Sequence, residues 1–420
     1  MAFQTKQTQT MPPLALVLLA TFTITLGYGV ILPAMPFYLQ HLVEHSGAFS
    51  VSWHTGVMTG VYSFALFVFA PVWGRLSDRI GRYPVLLFGL SGFSASMLWF
   101  ALAPNLANAY LSRVIAGFCA AAVLPTSLAA VVSPRTMVAR ARAVAAVNAA
   151  NAFGFLTGPA LASVWTWYPS SFPPILGWLP TGFNVFPMLT VVLVGLATTL
   201  MVSIWWRDAP SSLSTVEHSA AADTTPPLTI MLLLTLFIMF ALGSFEVSYA
   251  ILAQQQWLLT SRQVAGIFVA CSMVMIFVQL FLFAPLLQRC GPIGLTIPSL
   301  LAAAAGIALL PEAKQYLWQM SLVSLIALGT GLAIPTLAYS VSLAAGHQPG
   351  RAFGHQIAVT SLGQALGAGI AGVLFNRHAA LTLWLAASLL AVGAVYYLLL
   401  QSFIRAGRMT EKCNVRNQTE

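Results

Sequence analysis

Two long apolar segments, 54–73 and 84–103, are joined by Gly74-Arg75-Leu76-Ser77-Asp78-Arg79-Ile80-Gly81-Arg82. This run places one acid among three arginines, and cations of this kind collect in short loops at the cytoplasmic face of a membrane. An acid there can bind a helix N-terminus or an arginine of another part of the chain. We therefore predict a tight turn that latches one conformation shut; on charge alone, an ordinary basic loop is the alternative. The latch residues are Gly74, Arg75, Asp78, Arg79, Gly81 and Arg82.

The composition excludes a soluble enzyme of this size. Of 420 residues, 59% are hydrophobic and 6% are charged, whereas soluble proteins carry about 25% charged residues. A membrane-spanning helix needs roughly 20 apolar residues, and the runs are continuous rather than alternating, which favours helices over a β-barrel. We predict an all-α membrane protein with twelve spans, at 14–38, 54–73, 84–103, 107–132, 142–164, 183–206, 228–252, 263–287, 293–310, 317–343, 353–375 and 380–404.

The distribution of cations predicts the orientation. The chain has 18 Lys and Arg against nine Asp and Glu, a net charge of +9. With the N-terminus inside, fourteen cations lie in inside segments, three lie in outside segments, and Arg113 lies within a span. By the positive-inside rule both termini are cytoplasmic. We expect a multi-pass protein of a cell membrane, the inner membrane of a bacterium, surrounded by lipid and without a nucleic-acid partner.

The chain divides into two similar halves. Residues 207–227 form the longest polar stretch inside it and separate a first six-helix bundle, 1–206, from a second, 228–420. Similar motifs recur 209 or 210 residues apart: Leu124-Pro125-Thr126 with Ile334-Pro335-Thr336, and Gly154 and Gly158 with Gly363 and Gly367. Duplicated halves of this kind are typical of secondary transporters whose substrate site lies between the halves.

The motifs themselves resemble those of the major facilitator superfamily. The run 74–82 resembles its G-x-L-a-D-r-x-G-r signature, and the corresponding loop Gln288-Arg289-Cys290-Gly291 lacks the acid. Within the family, Gly27-Tyr28-Gly29-Val30-Ile31-Leu32-Pro33-Ala34-Met35-Pro36 resembles the first span of drug:proton antiporters of the tetracycline-efflux type. Arg113 with Gly117 resembles the family's R-x-x-x-G element, and Gly154-Phe155-Leu156-Thr157-Gly158-Pro159 resembles the antiporter signature G-x-x-x-G-P.

The resemblance implies a fold and an activity. The fold is two pseudo-symmetric six-helix halves that rock about a central cavity. The activity is secondary active export of a small amphipathic organic compound, a drug or a metabolite such as a siderophore, by proton antiport. Glycines four residues apart let helices approach closely, so Gly154, Gly158 and Pro159 would seal the pathway along span 5. Generic helix packing is the alternative for these three residues.

Two buried charges are the candidates for ion coupling. Glu246 is the one acid of the nine that lies well inside a predicted span, and an ionisable group in the membrane is a functional candidate by default. It carries the proton or binds a cationic substrate, or else lies at the outer headgroup level. Arg113 is the second candidate, with a structural role as its alternative. The acid that many relatives carry three residues before the first glycine is replaced here by Ile24.

Polar residues at helical spacing predict the cavity wall. Asn148 and Asn151 share one face of span 5, and Gln356, Thr360 and Gln364 share one face of span 11. Buried amides need partners, either on another helix or in a water-filled cavity, so structural contacts are an equal alternative. Further cavity candidates are Tyr249, Gln279 and Tyr339.

Two other motifs carry no chemistry in this context. His41-Leu42-Val43-Glu44-His45 fits a zinc-peptidase pattern, but it lies in a short outside loop. Gly367-Ala368-Gly369-Ile370-Ala371-Gly372 fits a dinucleotide-binding pattern, but it lies inside an apolar span. We expect no metal, no cofactor and no catalytic set. The sequence contains no phosphate-binding loop, so we expect an ion gradient rather than bound ATP to supply the energy. We also expect the protein to act as a monomer. An importer or facilitator on the same fold, and a non-transporting membrane sensor, remain as alternatives.

Overall fold

The computed structural model describes residues 14–43, 51–131, 137–166, 186–206, 228–259, 261–345, 348–375 and 380–399. Within these ranges the chain is helical and contains no β-strand, as predicted. The predicted linker 207–227 and the acid of the zinc-like motif, Glu44, lie outside the described residues.

The first half forms long helices that follow the predicted spans. They are α1 (Leu14–Val43), α2 (Val51–Ile80), α3 (Arg82–Ala101), α4 (Leu106–Ala130), α5 (Met137–Thr166) and α6 (Phe186–Trp205). The start of α4 is set by Asn105, whose side chain accepts a hydrogen bond of 3.0 Å from the backbone N–H of Asn108. Such a cap satisfies one of the free donors at a helix N-terminus.

The second half repeats this arrangement. Its helices are α7 (Leu228–Gln255), α8 (Ser261–Phe277), α9 (Phe283–Leu309), α10 (Tyr316–Ala344), α11 (Pro349–Phe375) and α12 (Leu381–Leu399). A π-helical segment, Val278–Leu282, joins α8 to α9 without a turn. The eighth and ninth spans instead separate at Gly291, inside α9, where φ is 70° and ψ is 171°.

The repeat is visible in the two glycines that break the chain between spans. Gly81 has φ of 95° and Gly291 has φ of 70°, and they lie 210 residues apart. A positive φ strongly favours glycine because it has no Cβ. The predicted turn over 74–82 is therefore shorter than expected: α2 continues to Ile80, because no helix-breaking residue intervenes, and Gly81 alone makes the break.

The hydropathy of the helices is consistent with a membrane protein. In the described part of the chain, nine segments are long and apolar enough to cross a membrane, and one of them, Gly266–Glu312, contains both the eighth and the ninth spans. The two helices outside this set, α5 and α11, are equivalents in the repeat. They carry the polar cavity candidates of spans 5 and 11.

Apolar packing forms two large cores and a smaller third one. The first is built mainly from α1–α6 and the second from α7–α12. The third joins the halves: Ala141 and Ala145 of α5 pack with Phe283, Leu287 and other residues of α8–α10. Together with close packing of α2 on α11, it closes the end of the bundle at which Asp78 lies.

Candidate functional site

A central cavity of about 280 Å³ lies between the halves. Its walls come from α1, α2, α4 and α5 on one side, and from α7, α8, α10, α11 and the π-helical segment on the other. About three fifths of the lining residues are apolar or aromatic, and the rest are amides, hydroxyls and one carboxyl group. This combination is typical of a site for a small organic molecule.

Glu246 of α7 lines this cavity. Its side chain is half-buried, and its Oε2 accepts a hydrogen bond of 3.3 Å from Nε2 of Gln364 on α11. Three acids fall in the described residues, namely Asp78, Glu246 and Glu312, and among them Glu246 is the one in the cavity. The cavity thus carries a carboxyl group with a single hydrogen-bond donor beside it and no described cation.

Six of the predicted polar residues also line the cavity: Asn148, Asn151, Gln279, Gln356, Thr360 and Gln364. Nδ2 of Asn148 donates to the Val144 carbonyl at 2.9 Å. By contrast, the carbonyl oxygens of the Asn151, Gln279 and Gln356 side chains are buried without a hydrogen-bond partner among the described residues. Unpaired acceptors at a cavity wall are available to a ligand that supplies donors once the side chains turn toward it.

Two predicted residues, Tyr249 and Tyr339, do not line this cavity. Tyr249 is fully buried in the core of the second half, where its hydroxyl donates to Oε1 of Gln319 at 3.2 Å. Tyr339 packs in the third core with Ala141 and Ala145, at the closed end of the bundle. Both were expected at the cavity because they are polar aromatics in apolar spans, but the rotation of their helices turns them elsewhere.

The sequence analysis missed two tyrosines that do line the cavity, Tyr28 and Tyr62. Their rings stack at a centroid distance of 5.4 Å, and Tyr28 also stacks on Phe155 at 6.1 Å. A tyrosine near the middle of a span, away from the interfacial positions that this residue prefers, was the available signal. Nothing in the sequence indicated that α1 and α2 would bring the two rings together.

Arg113 lies behind the cavity wall rather than in it. It is 1% exposed, and its guanidinium carbon lies 4.5 Å from the centroid of the Tyr62 ring and 5.6 Å from that of Phe100. Its Nε and Nη1 have no hydrogen-bond partner in the described part of the chain. Aromatic faces, rather than a carboxylate, therefore surround this charge.

Asp78 lies on the last turn of α2 and faces the N-terminus of α11. Its Oδ1 accepts a hydrogen bond from the backbone N–H of Gly350, and its Oδ2 accepts one from that of Arg351, each at 2.9 Å. A carboxylate is stabilised at a helix N-terminus by the free N–H groups and by the helix dipole. Of the predicted latch set, Arg75 and Arg79 are exposed and Arg82 is half-buried.

At the predicted latch and at the predicted span-5 seal, neighbouring helices approach closely because glycine has no side chain. A Cβ at Gly74 would overlap the carbonyl oxygen of Gly350, so α2 and α11 meet backbone to backbone beside Asp78. On α5, a Cβ at Gly154 would overlap the Thr25 hydroxyl, and one at Gly158 would overlap the Gly29 backbone. The span-5 glycines thus pack α5 against α1. Pro159 lies within α5, but its side chain is outside the described set.

The arrangement of two repeated six-helix halves around a cavity, with the Asp78 turn at one end, agrees with the family model. Residues 17–354 match the model of the Major Facilitator Superfamily. The chain belongs to the major facilitator superfamily. Bacterial members of the superfamily are similar to this chain over most of their length. Multidrug resistance protein 2 of Bacillus subtilis is 26% identical over 370 residues, which cover 85% of this chain and 87% of that protein.

Other superfamily proteins are similar in sequence or in fold. Quinolone resistance protein NorA of Staphylococcus aureus is 26% identical over 385 residues, covering 90% of this chain and 94% of NorA. The human organic anion transporter MFSD10 superposes with a TM-score of 0.76 at 19% identity, covering 92% of this chain and all of that one. FucP in its outward conformation superposes with a TM-score of 0.67 at 14% identity, covering 92% and 98%.

Membership in the superfamily establishes the general class of activity. The protein is a multi-pass membrane transporter of small molecules, and not an enzyme. Among the proteins similar to it in sequence, those of Bacillus subtilis and Staphylococcus aureus are named for drug resistance. The predicted resemblance, the fold class and the assignment as a transporter are confirmed.

Proposed function

We propose that this transporter exports small amphipathic organic compounds in exchange for protons. In this proposal the exported compound and the proton compete for the carboxylate of Glu246. This proposal rests mainly on one observation: among the described residues, the cavity between the halves is lined by one carboxyl group, that of Glu246, and by no cation. The names of two similar bacterial proteins, which refer to multidrug and quinolone resistance, support export rather than uptake.

A carboxyl group of this kind can couple two fluxes. In its ionised form it attracts a cationic substrate, and in its protonated form it does not, so proton binding releases the substrate. The rings of Tyr28, Tyr62 and Phe155 line the cavity as a stack, and a cationic or aromatic compound that displaces one ring of this stack gains an aromatic face. The unpaired amide oxygens of Gln279 and Gln356 offer acceptors.

The orientation of the cavity follows from the proposed topology. With both termini in the cytoplasm, the Asp78 end is the cytoplasmic end, and its closure makes this the outward-facing state. The contact of Asp78 with the N-terminus of α11 latches that state, and the α1–α5 contact at Gly154 and Gly158 seals the pathway along span 5. Two halves, 1–206 and 228–420, joined by the linker 207–227, then alternate about the cavity. Because one chain supplies every wall described here, we propose that a monomer is sufficient.

The test uses purified protein in liposomes that contain a pH-sensitive dye. Transport of tetraphenylphosphonium, an aromatic organic cation, is followed together with the counterflow of protons across an imposed pH gradient. We expect the wild type to accumulate the cation against its gradient and to release protons in the opposite direction. Glu246→Gln removes the charge with little change of volume and abolishes proton-driven accumulation.

A matched control distinguishes the site from a general effect of losing an acid. Glu312→Gln makes the same chemical change at an exposed acid outside the cavity, and we expect it to transport like the wild type. Undiminished proton-driven accumulation by Glu246→Gln would overturn the coupling role. Gradient-independent counterflow by the wild type would instead support the alternative, a facilitator.

A further inference from the structure

Within the described part of the chain, Arg113 has no carboxylate partner of the kind that buried arginines usually have. Removing a guanidinium from water carries a large penalty unless other groups compensate it. Of the three acids that the structure describes, none is paired with Arg113; its guanidinium lies over the ring of Tyr62 instead. Ile24 occupies the position at which the resemblance led us to expect a carboxylate, and it is buried as well.

The face of the Tyr62 ring occupies the place of that partner. The 4.5 Å distance between the guanidinium carbon and the ring centroid is well within the roughly 6 Å over which a cation and an aromatic face attract each other. The attraction is strongest at desolvated sites, and both side chains are buried, at 1% and 3% exposure. Phe100 provides a second ring on α3, at the longer distance of 5.6 Å.

The backbone geometry holds this contact in place. Gly117 lies one helical turn after Arg113 on α4, and a Cβ there would come within 2.6 Å of the Tyr62 carbonyl oxygen. The missing side chain lets α4 approach α2 at the turn that carries Tyr62. The sequence thus supplies a small residue where it is needed to bring the guanidinium over the ring.

Tyr62 also reaches the cavity, which Arg113 does not. Its ring stacks on Tyr28, with 25° between the ring planes, and both tyrosines are part of the cavity wall. Glu246 lines the same cavity. The stacked tyrosines therefore border the cavity that holds the carboxyl group, while Tyr62 also contacts the buried guanidinium behind the wall.

We propose that Tyr62 is a positioning residue: its ring holds the charge of Arg113 in place of a carboxylate and links that charge to the state of the cavity. A substrate that displaces the Tyr28–Tyr62 stack changes the stabilisation of Arg113, and with it the packing of α2 against α4. The transport part of this inference rests on the proposed antiport function, whereas the contact between ring and guanidinium does not.

The first experiment tests the contact without transport. Thermal unfolding of purified protein is measured for Tyr62→Leu, Arg113→Leu and the double variant. If the ring stabilises the charge, Tyr62→Leu lowers the melting temperature in the wild type and lowers it much less when Arg113 is absent. Equal shifts in both backgrounds would show that Tyr62 only fills space, and would overturn the proposal.

The second experiment tests the link to coupling, using tetraphenylphosphonium and protons in liposomes. Tyr62→Phe keeps the ring face and should retain the wild-type number of protons exchanged per cation. Tyr62→Leu should lower the proton-driven component of transport about tenfold or more, in addition to any change of KM. Phe100→Leu removes the more distant ring, which does not line the cavity, and should retain coupling.

The outcomes separate the two proposals. A Tyr62→Leu variant with a raised KM but unchanged proton coupling would limit Tyr62 to the cavity wall and contradict the positioning role. Equal uncoupling by Phe100→Leu would contradict it too. If the wild type itself moves no protons, the antiport function fails, while the unfolding cycle still decides whether Tyr62 holds Arg113.

Discussion

Oδ1 of Asp78 accepts a hydrogen bond of 2.9 Å from the backbone N–H of Gly350, a residue 272 positions later in the chain. The contact joins the end of α2 in the first half to the start of α11 in the second. Beside it, Gly74 and Gly350 allow the two backbones to touch. One carboxylate and two glycines thus close the Asp78 end of the bundle, and the following predictions begin from that contact.

Asp78→Asn should open the closed end. An amide keeps the shape of the side chain but loses the charge, and hydrogen bonds to charged groups contribute about 1.5–3 kcal/mol. We expect Cys271, which lines the cavity, to react at least about tenfold faster with a membrane-impermeant maleimide added on the Asp78 side. The measurement uses sealed vesicles and a background in which Cys119, Cys290 and Cys413 are serine.

The control for Asp78→Asn is Gln288→Asn, in the corresponding loop of the second half. Gln288 is exposed and lies 210 residues after Asp78. Because this position already lacks a charge, the labelling rate of Cys271 should not change. Unchanged labelling in Asp78→Asn would contradict the latch.

Gly74→Ala should also open the Asp78 end of the bundle, in this case through steric overlap. The added methyl group would overlap the carbonyl of Gly350, so α2 and α11 must move apart and Cys271 becomes accessible from the Asp78 side. Gly60→Ala is the matched control on the same helix, because a Cβ there meets no atom within 4 Å. We expect the control to leave labelling unchanged and to stabilise the helix by about 0.5–1 kcal/mol.

Gly158→Ala should damage the contact between α5 and α1. Its Cβ would overlap the backbone of Gly29, and overpacking of a well-packed contact costs about 1–3 kcal/mol. The melting temperature in detergent should fall and transport should fall with it. Gly369→Ala, at a position with open space on α11, should leave transport unchanged and should not lower the melting temperature. A normal melting temperature for Gly158→Ala would show that α1 and α5 do not need their close packing.

Gln279→Leu should change substrate recognition without loss of stability. The Oε1 of Gln279 is buried without a partner among the described residues, and removing an unsatisfied acceptor is neutral or stabilising. We expect the KM for polar substrates to rise while the melting temperature is unchanged or higher. A lower melting temperature would indicate that this amide has a structural role.

The comparison variant for Gln279→Leu is Tyr249→Phe. Tyr249 donates to Gln319 inside the second core, so the loss of its hydroxyl leaves a buried acceptor unpaired, at a cost of about 1–3 kcal/mol. Stability should fall and the KM should stay at its wild-type value. A shift of KM in Tyr249→Phe would place this residue at the substrate after all.

Prediction from the sequence succeeded where the signal was local or repeated. The apolar segments and the motif at 74–82 are properties of consecutive residues, and they led to the membrane class and to the family. The amides of spans 5 and 11 were placed at the cavity because helical spacing puts them on one face. The end of α2 was misplaced by seven residues, since charged residues after Trp73 indicated a loop although nothing there breaks a helix.

The choice among polar aromatics failed for a physical reason. In spans that are apolar on every side, sequence periodicity does not define which face turns to the cavity and which to the core. Tyr249 and Tyr339 were therefore expected at the cavity, whereas Tyr28 and Tyr62 occupy it. The rotation of each helix depends on packing against helices far away in the chain.

Composition, hydropathy and the duplicated motifs were enough to assign this chain to the membrane and to its family, because lipid imposes the same demand on every consecutive turn of a spanning helix. Tertiary structure alone decided that Asp78 meets the N-terminus of α11, that Glu246 faces the cavity and that an aromatic ring covers Arg113. Each of these contacts joins residues from different helices, and their distances arise only when the helices pack together.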